Sequence, residues 1–147
     1  MSILNEERPL KQIKEDIKII SSNKLSITQS KLLFIGITYE LILRKDLFPK
    51  NENLKTFIDN IYVKRFKDQE RFKDYLYYAR TILASRVQKK IMSDLDYNQI
   101  LEIVSELYDI LPEDDINKNR TNKKGSNNDA IIEWMNFIKN RDVKDEL

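Results

Sequence analysis

The sequence predicts an all-α protein, a helical bundle of about five core helices with a tethered C-terminal helix. Three observations favour this class. The 147 residues include only two glycines and three prolines, apolar residues recur mostly at spacings of three and four, and the alternating pattern of strands is almost absent. A chain of this length can close one hydrophobic core without metals or disulfides. We therefore expect a bundle in residues 1–111, a polar linker in 112–128 and an amphipathic helix in 129–147.

The first predicted helix runs from about Pro9 to Ile20, since proline suits an opening turn. Its apolar stripe consists of Leu10, Ile13, Ile17 and Ile20. The second helix spans about Ile27 to Lys45. Ser26 can cap its first amides while Gln29 reaches back, which is the arrangement of a capping box. Apolar side chains cover nearly every direction of this helix, as is typical of a helix at the centre of a bundle.

Pro49 ends the second helical region, and Asn51 or Asn53 is a suitable cap for a short third helix. The apolar residues of that helix are Leu54, Phe57, Ile58 and Ile61. The fourth and longest predicted helix runs from about Asp68 to Met92. One side of it carries Phe72, Tyr75, Leu76, Ala79, Ile82, Leu83 and Val87.

The fifth predicted helix, about Asp96 to Leu111, has the clearest amphipathic pattern. Its apolar side chains, which lie within about a third of the helical wheel, are Tyr97, Ile100, Leu101, Val104, Leu107, Tyr108 and Leu111. Pro112 ends this helix, and the asparagine-rich segment that follows has the composition of a linker. The last predicted helix runs from about Asp129 to Val143.

The residue types that the chain lacks exclude several kinds of chemistry. It has no cysteine and no histidine, so disulfides, thiolate nucleophiles and imidazole bases are excluded. Neither Gly36 nor Gly125 lies in a phosphate-binding loop pattern. We therefore predict a protein that is not an enzyme and that uses no cofactor and no metal.

Membrane contact is also unexpected. The longest apolar stretch, residues 32–37, is far shorter than the roughly 20 residues that a membrane span needs. The N-terminal residues lack the apolar region of a signal peptide. The abundance of lysine, isoleucine and asparagine is typical of a bacterial chain encoded by AT-rich DNA. We expect a location in the bacterial cytoplasm.

Charge is segregated along the chain. Residues 64–90 carry nine basic and three acidic side chains, whereas residues 91–116 carry eight carboxylates and no basic residue. A basic surface could bind nucleic-acid phosphates, and its candidate residues are Lys64, Arg65, Lys67, Arg71, Lys73, Arg80, Arg86, Lys89 and Lys90. The other interpretation is that the basic and acidic segments neutralise each other in the fold or in an oligomer. The net charge of only +2 favours this second interpretation.

Three carboxylates, Glu102, Glu106 and Asp109, share the polar face of the fifth predicted helix. Similar spacings occur in all-helical nucleotide pyrophosphatases, which the chain resembles in helicity and in the Glu106-x-x-Asp109 spacing. That resemblance implies a magnesium-dependent nucleotide hydrolase. The paired-glutamate motif on a second helix is missing from this sequence, and the solvated face of an amphipathic helix explains the same spacing.

Three charged residues occupy positions that the apolar pattern predicts to be buried. Arg86 and Lys90 fall on the apolar side of the fourth predicted helix, and Glu40 lies within the apolar stretch of the second. A charge there must be paired, must extend to solvent or must face a partner. We predict an ion pair between Glu40 and either Arg86 or Arg80. The alternative is a groove for an anionic ligand lined by Arg86 and Lys90.

The last predicted helix is the main candidate for partner binding, since tryptophan and methionine often anchor an amphipathic helix in a partner's groove. The predicted contact residues are Ile131, Trp134, Met135, Phe137 and Ile138. The alternatives are packing on its own bundle, or exchange between two copies in a homodimer. The sequence thus favours a non-catalytic accessory or regulatory subunit of a bacterial assembly. Nucleic-acid binding and nucleotide hydrolysis remain the alternatives.

Overall fold

The computed structural model describes residues 8–113 and 126–139, with side chains in the second range from residue 132 onward. Over these residues the chain forms six α-helices, two short 3₁₀ helices and no strand. The α-helices are α1 (Leu10–Ser21), α2 (Ile27–Leu43), α3 (Asn51–Ile61), α4 (Arg80–Asp94), α5 (Tyr97–Ile110) and α6 (Ser126–Lys139). The 3₁₀ helices are Val63–Arg65 and Asp74–Tyr78. The predicted all-α class is confirmed.

Capping boxes determine where α2 and α5 begin. The Gln29 N–H donates to Ser26 Oγ at 3.1 Å, and the Ser26 N–H donates to Gln29 Oε1 at 3.0 Å. Asp96 and Gln99 form the same reciprocal pair with both distances 2.9 Å. Each box satisfies two amides that have no partner inside the helix. The observed first residue of each helix therefore lies within one residue of the predicted one.

Helix α4 is shorter than predicted. It begins at Arg80, not near Asp68, because the preceding residues are irregular or belong to the 3₁₀ helix Asp74–Tyr78. Gln69 adopts a φ of 52°, which is incompatible with the interior of a right-handed helix. The 3₁₀ helix buries Leu76 and Tyr77. Tyr75 and Ile82, which the sequence assigned to the apolar side, are 63% and 49% exposed, so the predicted stripe is only partly buried.

Helix α2 packs against α1, α4 and α5. Its N-terminal part lies beside the end of α4, where Lys31 Nζ donates to the Met92 carbonyl at 3.3 Å. Its C-terminal part lies beside the start of α4, where Arg80 donates to the Ile42 carbonyl at 3.4 Å. The two helices are therefore antiparallel neighbours.

The sequence predicted that α2 would be covered on all sides, but only part of its surface is buried. The buried apolar residues are Phe34, Ile35, Ile37, Leu41 and Ile42, while Leu32 and Leu43 are exposed to solvent. In α1 all four residues of the predicted apolar stripe are buried, as expected. In the described part of the chain, no helix has both the length and the apolar character required to cross a membrane.

Helix α6 packs against α3 and α5. It begins at Ser126, three residues before the predicted start, and its predicted end at Val143 lies outside the described residues. Trp134 is buried, with its ring centroid 5.5 Å from that of Phe48 and 5.9 Å from that of Phe57. These contacts make α6 part of the same hydrophobic core.

Candidate protein-binding face

Arg65 forms ion pairs with two of the three carboxylates that the sequence suggested as magnesium ligands. Its guanidinium lies 2.8 Å from Glu106 and 3.2 Å from Glu102, whereas Asp109 is exposed. Burial alone would lower the pKa of Arg65, but Glu106 and then Glu102 raise it above its usual value. Among residues 8–113 and 126–139, no group of three potential ligands is placed to hold a metal ion.

Lys90 forms a second cluster of ion pairs. Its ammonium lies 2.8 Å from Asp68, 3.5 Å from Asp94 and 5.7 Å from the centroid of the Phe66 ring. The hydrogen bond from Lys90 lowers the pKa of Asp68. The aliphatic part of Lys90 thus occupies an apolar position while its charge is paired at the surface.

The predicted pair between Glu40 and Arg86 or Arg80 is wrong. Glu40 pairs with Arg8, which lies 2.6 Å and 2.9 Å from the two carboxylate oxygens and also 2.8 Å from Asp16. The contact with Glu40 raises the pKa of Arg8. Arg80 instead donates to main-chain carbonyl oxygens near the end of α2, and Arg86 is exposed. Arg86 and Lys90 therefore do not line a common anion-binding groove.

The cations of the basic segment, residues 64–90, fall into two groups according to whether they contact oxygen atoms of the described chain. Arg65, Arg71, Arg80 and Lys90 contact carboxylates or main-chain carbonyls. The side chains that form no such contact within the described residues are Lys64, Lys67, Lys73, Arg86 and Lys89. Two of these, Arg86 and Lys89, are neighbours on the outer side of α4. The predicted neutralisation of basic by acidic segments therefore holds for part of the segment.

The outer surface along α2 and α4 carries an unusual concentration of exposed apolar side chains. Leu32 and Leu43 on α2 are 60% and 39% exposed, and Ile82 and Met92 on α4 are 49% and 50% exposed. Gly36 lies between the two leucines on the same side of α2, since helical residues four and seven apart share a face. These five residues, with Arg86 and Lys89 beside them, constitute what we call the α2–α4 face.

One end of the α2–α4 face continues into a groove of about 490 Å³. Leu43, Thr81 and Tyr78 contribute to its walls, together with Lys45 and Pro49 of the loop after α2. Tyr78 is among the most exposed aromatic residues of the described chain. An apolar ligand that follows α2 could therefore extend its contact into this groove.

Gly36 leaves a recess in the α2–α4 face. No atom lies within 4 Å of the position that a Cβ would occupy, so nothing in the described chain requires a glycine here. Glycine in a helix interior is less favourable than alanine by about 1 kcal/mol. The chain therefore carries a destabilising residue at a site where its own packing would accept a larger one.

The structure places the predicted partner-binding residues of the last helix mainly in the core. Trp134 and Ile138 are buried, Met135 and Phe137 are partly buried, and the side chain of Ile131 lies outside the described part. The Trp134 indole also donates to the Leu47 carbonyl at 3.0 Å. The alternative of packing on its own bundle describes this helix, because α3 and α5 cover its apolar face. In this conformation the face is not available to a partner.

Sequence reasoning missed the α2–α4 face because it assigned all apolar residues of α2 to the core. The available signal was an apolar excess, since a helix that is apolar on every side needs neighbours on every side. The chain matches no family model, no curated protein and no solved structure. Its function must therefore be inferred from the surfaces described above.

Proposed function

We propose that this protein is a non-catalytic accessory or regulatory subunit of a bacterial cytoplasmic assembly that acts by protein–protein contact. The observation that carries the proposal is the α2–α4 face. Single exposed apolar side chains are ordinary on protein surfaces, but four on the outer sides of two packed helices favour an interaction site, because large apolar patches mark such sites. The recess at Gly36 adds a place where a partner could approach the backbone of α2.

Nucleic-acid binding is the second candidate, favoured by the exposed neighbours Arg86 and Lys89. Phosphate binding gains affinity with each neutralised phosphate, yet Arg65 and Lys90 already contact carboxylates of the same chain. Ile82 and Met92, the large apolar side chains that flank the two exposed cations on α4, are also better matched to a protein surface. Protein contact therefore ranks first.

Two matched substitutions test the proposal. Ile82 on the α2–α4 face and Ile132 on α6 are 49% and 56% exposed, so aspartate at either position should leave the fold intact. Tagged full-length chains would be purified from the source organism, and the associated macromolecules identified. We expect Ile132→Asp to retain the partners of the original chain and Ile82→Asp to lose them. Circular dichroism and urea unfolding would verify that both variants fold.

The other outcomes are equally informative. Loss of the partner only with Ile132→Asp would place the contact on α6 and contradict the assignment to the α2–α4 face. Recovery of nucleic acid, with a steep dependence on salt, would support the second candidate. Absence of any partner of the original chain would contradict both.

A further inference from the structure

We propose that the α2–α4 face binds an amphipathic helix of a different protein, and that this helix carries carboxylates beside its apolar stripe. The inference rests on the proposed function and specifies the chemistry of the partner. It is drawn from the length of the apolar stripe, the recess at Gly36 and the charge at the rim.

The apolar stripe has the dimensions of a helix-binding site. Leu32 and Leu43 are 11 residues apart, which corresponds to roughly 16 Å along α2 and to three turns of a partner helix. Ile82 and Met92 extend along the antiparallel α4 over a similar length. A helix laid along this surface would therefore meet apolar side chains at both ends, with Arg86 and Lys89 between them on α4.

Gly36 marks the point at which the partner helix would come closest to α2. The distance between packed helices depends on the side chains at their crossing point, and glycine presents none. The position lies between Leu32 and Leu43, so flanking leucines would border the partner on both sides of the crossing. This arrangement gives the glycine a role that packing within the described chain does not provide.

The rim of the face is positively charged. Arg86 and Lys89 are exposed on α4, and within the described residues neither contacts a carboxylate. Glu40, the carboxylate of α2, is already held by Arg8. Charged rims contribute to the choice of partner and to the rate of association, so carboxylates on the bound helix would complement this surface.

A second copy of the chain fits less well. In a two-fold symmetric dimer the same surface is used by both subunits, so two copies of Arg86 and two of Lys89 would enter one interface. Like charges brought together in this way oppose association. The charge of the face thus favours a different protein over self-association.

A photo-reactive residue at position 32 tests the inference directly. Leu32 is 60% exposed and borders the proposed crossing at Gly36, so benzoylphenylalanine would replace it in the full-length chain expressed in the source organism, which leaves Gly36 open to the partner. After irradiation, mass spectrometry would identify the crosslinked peptide. We expect a segment of another protein with apolar residues at spacings of three and four and with flanking aspartates or glutamates. A crosslink to a second copy, to nucleic acid or to a segment without this pattern would overturn the inference.

A charge reversal provides the second arm of the experiment. With the probe at position 32, Arg86→Glu combined with Lys89→Glu should reduce the crosslink yield at least tenfold. The matched control is Lys11→Glu combined with Lys18→Glu, which makes the same charge change in a groove bordered by α1 and α5. The control should retain the yield. An unchanged yield in the Arg86 and Lys89 variant would overturn the proposed carboxylate contact.

The two proposals can fail separately. If a partner co-purifies and is lost with Ile82→Asp, but no crosslink forms at position 32, the inference fails and the proposed function stands. If the original chain has no protein partner, both fail.

Discussion

Gly36 lowers the stability of α2 without a contact in the described structure that explains its presence. It lies on an exposed part of α2 where a Cβ would meet no atom within 4 Å. Replacement by alanine reduces the backbone entropy of the unfolded chain and removes no contact in the described structure.

We predict that Gly36→Ala raises the free energy of unfolding by about 1 kcal/mol. Urea unfolding followed by circular dichroism would measure it. Ser85→Gly, at a half-exposed position in the middle of α4, is the control and should change stability by about 0.5 kcal/mol in the opposite direction. A less stable Gly36→Ala variant would mean that the space at this position is not open.

Tyr62 provides a second prediction at the level of one side chain. It is fully buried, and its hydroxyl lies 2.8 Å from Thr38 Oγ1. Burial raises the pKa of Tyr62 above its usual value. The unfolded chain therefore releases this proton near pH 10 while the folded chain retains it, so stability falls as pH rises above about 10.

We predict that Tyr62→Phe reduces this alkaline loss of stability, although it removes the hydrogen bond to Thr38 and lowers stability at neutral pH. The measurement is the free energy of unfolding between pH 8 and pH 11. The exposed Tyr75 offers a control, since Tyr75→Phe should preserve the original pH dependence. Equal slopes in the original chain and in Tyr62→Phe would contradict the prediction.

At the level of elements, local signals explain the helices that were predicted well. Ser26 and Asp96 each form a capping box with a glutamine three residues later, and this pattern is visible in the sequence. Gln69 carries no comparable signal, because a glutamine with positive φ is not distinguishable from a helical one by residue type. The break before α4 therefore depends on tertiary packing.

The position of α6 likewise depends on packing that sequence does not encode locally. The apolar face of this helix was recognised, but an apolar face fits its own bundle and a partner equally well. Trp134 lies between Phe48 and Phe57, and these residues are more than seventy positions away in the chain. Only the tertiary structure identifies what covers the face.

We predict that Trp134→Ala lowers the free energy of unfolding by about 3–5 kcal/mol, as expected for removal of a large buried aromatic side chain. Ile132→Ala, on the exposed side of α6, should change it by no more than about 0.5 kcal/mol. Urea titration gives both values. Because Trp134 is the chain's single tryptophan, its fluorescence in the original chain also tests docking. Strong quenching by acrylamide would contradict the buried position.

For the whole molecule, long-range ion pairs determine which charges remain free. The sequence showed the segregation of charge but not the partners, since Arg8 and Glu40 are 32 residues apart and Arg65 and Glu106 are 41 apart. The cations of the α2–α4 face could be recognised only after these pairs were known. The same holds for the exposed leucines, whose neighbours are set by the arrangement of all helices.

The cluster around Lys90 predicts how the molecule responds to acid. Its hydrogen bond is the main cause of the lowered pKa of Asp68, and it also helps to lower the pKa of Asp94, which burial alone would raise. Carboxylates with lowered pKa values stabilise the fold above about pH 4, and this contribution is lost as pH falls through their folded-state values.

We predict that Lys90→Met makes stability less dependent on pH between 5 and 2. The midpoint of urea unfolding at several pH values would measure this. Lys89→Met removes a neighbouring exposed charge that has no carboxylate partner among the described residues, and it should leave the acid dependence unchanged. An identical profile for the original chain and Lys90→Met would contradict the assignment.

The loop after α2 accepts hydrogen bonds from both α6 and α4. The carbonyl of Leu47 accepts from Trp134 of α6, and the next carbonyl, that of Phe48, accepts from Arg80 at the first turn of α4 at 2.8 Å. Neighbouring peptide groups thus anchor both helices. If the Trp134 indole moved away, the Leu47 carbonyl would lose its hydrogen-bond donor. This carbonyl is next to the one that accepts from Arg80 of α4. The attachment of α6 and the first turn of α4 therefore depend on the same two adjacent peptides.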